Sequence, residues 1–237
     1  MNRAARTKIA RQIAGRRTAV VHRAAALLLG YPTAGLVERL PLLRSAAEEV
    51  GEPYAAALGE VLDHLADGAL TELEAQYVET FDLRRRCSLY LTYYAYGDTR
   101  KRGLALVEFK QAYRAAGYEL TESELPDHLA VLLELASADQ GAQEAGLRLL
   151  LAHRAGLEML RLALLDAGSP YAGALVAVCA TLPPLAGEDR EAVAELAAQG
   201  PPGEEVGLEP FGPPSYMPET FVPPRRSGPA LTSGARR

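Results

Sequence analysis

Apolar residues recur three and four positions apart along most of this chain, the spacing that lines one face of an α-helix. Val20, Ala24, Leu27 and Leu28 mark a first helix over about 17–30, stopped by Gly30-Tyr31-Pro32. A second helix is predicted over 33–50, with a bend at Pro41. Gly51-Glu52-Pro53 then breaks the chain, and Pro53 suits the first turn of a third helix whose Leu58, Val61, Leu62 and Leu65 face inward. His64 lies between two inward positions and reads as a boundary residue. Thr71–Glu74 has the form of a capping box, and Leu70, Leu73, Tyr77 and Phe81 continue that helix's stripe. Asp98 or Thr99 caps a helix carrying Leu106, Phe109, Tyr113 and Ala116, and Gly117 ends it. Thr121–Glu124 offers another cap. Pro126 fits the first turn of the helix that follows, whose inward face is Leu125, Leu129, Leu132 and Ala136. A long helix over 141–167 turns Leu150, Leu157, Leu160 and Leu164 inward. Gly168-Ser169-Pro170 separates it from a helix over 171–180, and after Pro183-Pro184 a short helix spans 188–199. The expected fold is all-α: one helical domain over 17–199, a bundle of about eight to nine helices.

The two ends differ from this body. Residues 1–16 are basic and Ala-rich without a firm apolar face, and are expected to be disordered or frayed. Arg16-Arg17 before an apolar run has the look of a twin-arginine export signal. His22 and Arg23 interrupt that run, and Ala24–Leu29 is too short for one, so a helix is the better reading. Residues 200–237 hold nine prolines and six glycines and are expected to form a disordered tail, with Phe211, Tyr216, Met217 and Phe221 as a candidate docking segment. No 20-residue apolar run free of charge exists, so no transmembrane helix is predicted.

Composition narrows the picture. Ala and Leu dominate, Trp is absent and Phe occurs four times, which is the palette of packed helices. Cys87 and Cys179 make no disulfide framework, and a reducing cytoplasm is the simplest location. The net charge of −5 hides an asymmetry. Residues 1–37 carry seven Lys/Arg and no acid, and 200–237 carry four of each sign, so 38–199 stands at −12. An acidic body argues against nucleic acid as a ligand and suits a basic peptide. No phosphate-cradling glycine loop, Cys-x-x-Cys or clustered metal-ligand set is visible, and enzymatic activity is not expected. Asp127-His128 is the one place where titratable groups look arranged. Adjacent helix residues point about 100° apart, and the helix dipole alone can account for Asp127.

The stretch from Phe81 to Gly103, FDLRRRCSLYLTYYAYGDTRKRG, fits neither a helix nor a strand template. It concentrates six basic residues and four of the eleven tyrosines. With Phe109-Lys110, Tyr113, Gly117 and Glu124-Leu-Pro-Asp-His-Leu129, it resembles the nitrate reductase molybdenum cofactor assembly chaperone family, formerly called the reductase delta subunit. That family belongs to the all-helical maturation chaperones of molybdenum enzymes. The resemblance implies a protein that binds the apo catalytic (alpha) subunit of respiratory nitrate reductase through its N-terminal segment. It would hold that subunit for molybdenum cofactor and iron–sulfur insertion, bind no cofactor stably itself, and be absent from the finished enzyme. A client that is another molybdenum oxidoreductase, or a structural role in such a complex, is the alternative. By resemblance Glu124, Pro126, Asp127 and His128 line the client groove. Tyr90, Tyr93 and Tyr94 are amphipathic contacts of the kind enriched at interfaces. Arg84, Arg85, Arg86, Arg100 and Lys101 form a candidate partner surface, for the reductase or for cofactor-delivery proteins. The arginines at 84–86 alternatively pair with Asp82 or Glu79.

Overall fold

Helices account for all the regular structure among the described residues, as the apolar spacing requires, apart from one isolated antiparallel bridge. The computed structural model describes residues 3–121, 124–185 and 187–199, all within one compact unit, Met1–Glu204. In chain order the helices are α1 (Arg3–Leu28), α2 (Ala34–Val37), α3 (Leu40–Val50), α4 (Tyr54–Asp67) and α5 (Leu70–Tyr77). A π-helical turn, Val78–Asp82, and a 3₁₀ turn, Arg85–Cys87, lead into α6 (Leu91–Tyr96) and α7 (Arg100–Ala115). Then come α8 (Leu129–Leu135), α9 (Gln140–Ala152), α10 (Arg154–Asp166), α11 (Ala172–Thr181) and α12 (Glu188–Gln199).

The C-terminal half of α1 is the axis of the domain. It packs against α3, α4, α8 and α11, and Val21, Ala24, Ala25, Ala26, Leu28 and Leu29 are all buried. Surrounded on so many sides, it buries more than the single stripe that spacing marks; Val20 and Leu27 are only partly covered. A second group forms around α10, which packs against α6, α11 and α12. Phe109 and Leu132 are fully buried, as their spacing predicts.

Several boundaries differ from expectation. The α1 backbone is helical from Arg3, upstream of the expected start near 17. Its added turns are rich in Ala and Arg, which are strong helix formers. The predicted 33–50 helix divides into α2 and α3 at Glu38-Arg39. The predicted 141–167 helix divides at His153, whose backbone (φ −109°, ψ 26°) leaves helical geometry, so that α9 can pack on α8 while α10 packs on α6 and α11. The capping box at Thr71 does not form. Ala69 is the N-cap of α5, which places Thr71 inside the first turn, in the register that buries Leu73 and Tyr77. Pro126 and Asp127 precede α8 rather than opening it, since His128 is the N-cap, and Leu125 is exposed. Gly117 ends α7 as expected, in a left-handed conformation with φ 82°. The expected tail over 200–237 lies outside the described residues.

Candidate functional site

The segment 88–94 and the segment 124–129 are far apart in sequence and hydrogen-bonded to each other. The Leu91 amide donates to the Asp127 carbonyl at 3.1 Å, and the Leu129 amide to the Leu89 carbonyl at 2.8 Å, around an antiparallel bridge between Tyr90 and His128. A short extended pairing is a natural use of the 88–91 run, which is too short and too apolar to be an exposed helix. Tyr94 locks the same run from inside. It is buried, and its hydroxyl donates to the Arg86 and Ser88 carbonyls at 3.0 and 2.9 Å.

Beneath the bridge sits a charged network. Asp127 is fully buried, and its Oδ2 accepts from the Thr92 amide at 3.2 Å and the Thr92 hydroxyl at 2.5 Å. Arg102, from α7, lies 3.7 Å from the same oxygen and also donates to Thr92 Oγ1 at 3.2 Å and to Asp98 Oδ1 at 3.1 Å. The Arg102 guanidinium stands 5.4 Å from the centre of the Tyr90 ring, a cation–π distance. Arg102 therefore ties α7, α6 and the 124–128 turn together and backs the Tyr90 ring from below.

Tyr90, Glu124 and His128 form a triad above this network. The Tyr90 hydroxyl donates to Glu124 Oε1 at 3.1 Å, and its ring meets the His128 imidazole edge-on with centroids 5.2 Å apart. Burial, with the Glu124 carboxylate beside it, pushes the Tyr90 hydroxyl up to about 12. Burial holds the His128 imidazole below its ordinary value, against the opposing pull of Glu124 and Asp127. Both side chains are thus neutral donors near pH 7.

The triad walls a groove of about 620 Å³ between the end of α1 and α8. Leu27, Leu36, Tyr77 and Val131 supply an apolar lining, with Tyr31 half-exposed at the mouth. Asp82, Glu124 and Glu134 supply acid against Arg39. Arg23 pairs with Glu134 at 3.0 Å, with both side chains about half exposed. The lining rests on an aromatic cluster in which Tyr77 meets Tyr31, Phe81 and Tyr171 at centroid distances of 5.3, 4.8 and 5.9 Å. The Tyr77 hydroxyl is anchored on the Leu29 carbonyl at 3.0 Å. An apolar trough with an acidic margin can take an amphipathic segment bearing basic residues.

The expected contact residues divide. Tyr90, Glu124 and His128 line the groove. Tyr94 and Asp127 are buried and turned to internal partners, the first holding the 86–88 backbone and the second holding Thr92 and Arg102, while Pro126 lies outside this groove and lines a neighbouring cavity of about 530 Å³ with Glu124 and Tyr113. Asp127 precedes α8 instead of sitting in its first turn, and its Oδ2 is held by Thr92 and Arg102 rather than by the helix dipole. Tyr93 is half-buried against Tyr94 and does not line the groove. Arg84 pairs with Glu79 at 2.5 Å, resolving one alternative, while Arg85 and Arg86 splay outward from the 3₁₀ turn. Arg100 and Lys101 are exposed on the first turn of α7. Sequence reasoning missed Leu27, Tyr31, Asp82, Val131 and Glu134. Leu27 and Val131 carry a signal in hindsight, as apolar positions left partly uncovered beside a helix's buried face.

A family model described as the nitrate reductase delta subunit matches residues 47–177, which include most of this site. The chain is 38% identical over 162 residues to the nitrate reductase-like protein NarX of Mycobacterium tuberculosis, covering 68% of this chain and 24% of that protein. It is 36% identical over 125 residues to the nitrate reductase molybdenum cofactor assembly chaperone NarJ of Escherichia coli, covering 51% of this chain and 53% of that one. The chain thus spans about a quarter of the first relative and about half of the second. A solved Archaeoglobus fulgidus structure described as a redox enzyme maturation protein shares the fold, with a TM-score of 0.50 at 21% identity over 68% of this chain and 91% of that one.

Proposed function

The chain belongs to the nitrate reductase delta subunit family, and from that premise we propose that it is an assembly chaperone for the catalytic subunit of a respiratory nitrate reductase. It binds the apo subunit through an N-terminal segment and keeps it competent for molybdenum cofactor insertion. The work is binding rather than bond chemistry. The observation that carries this reading is the groove walled by Tyr90, Glu124 and His128, whose apolar lining and acidic margin suit an amphipathic basic segment. The NarJ relative of Escherichia coli, a nitrate reductase molybdenum cofactor assembly chaperone, supports the same role. No described helix is long and apolar enough to cross a membrane, and action in the cytoplasm before membrane docking is part of the proposal. Arg85, Arg86, Arg100 and Lys101 remain available for a second partner, such as a cofactor-delivery protein.

Calorimetric titration with a peptide copying the first 15–30 residues of the candidate catalytic subunit tests the groove. Saturable binding is expected, weakened severalfold by Glu124→Gln and by Val131→Glu, which both face the groove and leave the buried network intact. Binding unchanged in both variants would move the client site elsewhere. The match to one section of a longer nitrate reductase-like protein favours a second reading, in which the domain stays with its complex. Fixed stoichiometry in purified mature reductase is the outcome that reading requires.

A further inference from the structure

Charge is not spread evenly along the groove between α1 and α8. Of the Asp, Glu and Arg side chains lining it, Glu124 is engaged by the Tyr90 hydroxyl and Glu134 by Arg23. Arg39 and Asp82 are exposed, and neither has a hydrogen-bond or ion-pair partner among the described residues. They line the same groove and yet stand too far apart to pair with each other. The acids gather around one tyrosine. Burial, then Asp82, Tyr171 and Glu124, raise the Tyr77 hydroxyl above its ordinary value, so both carboxylates lie close enough to act on it. Arg39 stands apart from them. It follows α2, whose Leu36 lines the groove, and opens α3. Local structure gives its side chain no task, since a helix start favours a capping oxygen or an acid and Arg39 makes no capping hydrogen bond there.

We propose that the groove, taken as the client site, accepts its amphipathic segment in one direction only, with a basic side chain at Asp82 and Glu124 and an acidic side chain at Arg39. The apolar lining of Leu27, Leu36 and Val131 contributes burial whichever way the segment lies, because burial is non-directional. Opposite charges at two separate points do distinguish the orientations. A reversed segment would set its base against Arg39 and its acid against Asp82, and like-charge contacts reject a wrong register. Arg39 and Asp82 are also free to act, since neither gives up an intramolecular partner on binding, whereas Glu134 would have to share its carboxylate with Arg23. Each contact is modest in water and strengthens as the docked segment excludes solvent.

The test is a charge cycle, read by calorimetric titration of the full chain with the peptide copying the first 15–30 residues of the candidate catalytic subunit at fixed ionic strength. Arg39→Gln and Asp82→Asn should keep the wild-type thermal midpoint, and each should weaken binding about three- to tenfold. Peptides with single acidic residues changed to their amides, or single basic residues changed to glutamine, locate the partners. One acidic replacement should weaken binding to the wild-type chain and have no further effect on Arg39→Gln, and one basic replacement should behave likewise with Asp82→Asn. A peptide with those two residues exchanged should bind the wild-type chain poorly and recover on the double variant Arg39→Asp/Asp82→Arg. Binding weakened by Val131→Glu but undiminished by Arg39→Gln and Asp82→Asn would keep the groove as the client site and overturn its direction, as would coupling at fewer than both residues. Absence of saturable binding to the wild-type chain would overturn the client site and the direction together.

Discussion

Asp127 is a carboxylate taken wholly out of water and held by Thr92 and Arg102. Breaking such an arrangement from one side leaves its partners unsatisfied, so Asp127→Ala should cost about 3 kcal/mol of folding stability. Thr92→Val, which removes the hydroxyl and keeps the amide, should cost about 2 kcal/mol. Urea unfolding monitored by circular dichroism reads both, and a change under 0.5 kcal/mol for Asp127→Ala would show that the network is not structural. His22 gives a separate pH signature. It is fully buried on α1, its Nε2 lies 2.8 Å from Thr181 Oγ1, and desolvation holds it at about 4, with the Ala136 backbone pulling weakly the other way. The native state therefore resists a proton that the unfolded chain takes up near pH 6.5. Stability is unaffected above that pH and falls as pH drops from 6.5 towards 4, by about 3 kcal/mol from this group. Burial also lowers His64, His128 and His153, which add loss in the same direction. Chemical denaturation at pH 7.5 and 5 should show the decline, and His22→Gln should flatten part of it.

At the scale of elements, helices approach closely where glycine allows it. A Cβ on Gly173 of α11 would lie 2.1 Å from the Ala57 carbonyl oxygen of α4, and the obstacle is backbone, which cannot swing aside. Gly173→Ala should therefore force α4 and α11 apart and cost about 2 kcal/mol, visible as a lowered thermal midpoint. Leu132→Ala on α8 should cost about 2–5 kcal/mol by leaving a cavity against α1. Retention of the wild-type midpoint by either variant would mean that the contact relaxes freely. The π-helical and 3₁₀ turns between α5 and α6 show why 81–103 matched no simple template. Buried Phe81, Cys87, Leu89, Leu91 and Tyr94 follow no single period, because the segment changes direction and pairs with a distant turn.

At the scale of the whole molecule, an acidic body should draw in a basic client segment from solution. Peptide association should slow as salt rises from 50 to 500 mM in stopped-flow measurements, while dissociation changes little. An association rate insensitive to salt would limit the groove's recognition to apolar burial. The division of labour between sequence and tertiary structure is clear at particular residues. Periodicity alone determined the all-helical class, the inward faces that include Phe109, Leu132, Leu157 and Leu164, and the stop at Gly117, because these depend on neighbours within one or two turns. The order of motifs from Phe81 to Leu129 was enough to indicate the family. Only the tertiary structure decided that Asp127 and Tyr94 are internal while Tyr90, Glu124 and His128 face a groove. It also brought Leu27 of α1 and Tyr31 of the loop that follows, both far away in sequence, beside Val131 of α8. Burial of a polar side chain depends on which distant donors reach it, and a groove exists only where separate elements leave a gap between them; neither is encoded in local spacing.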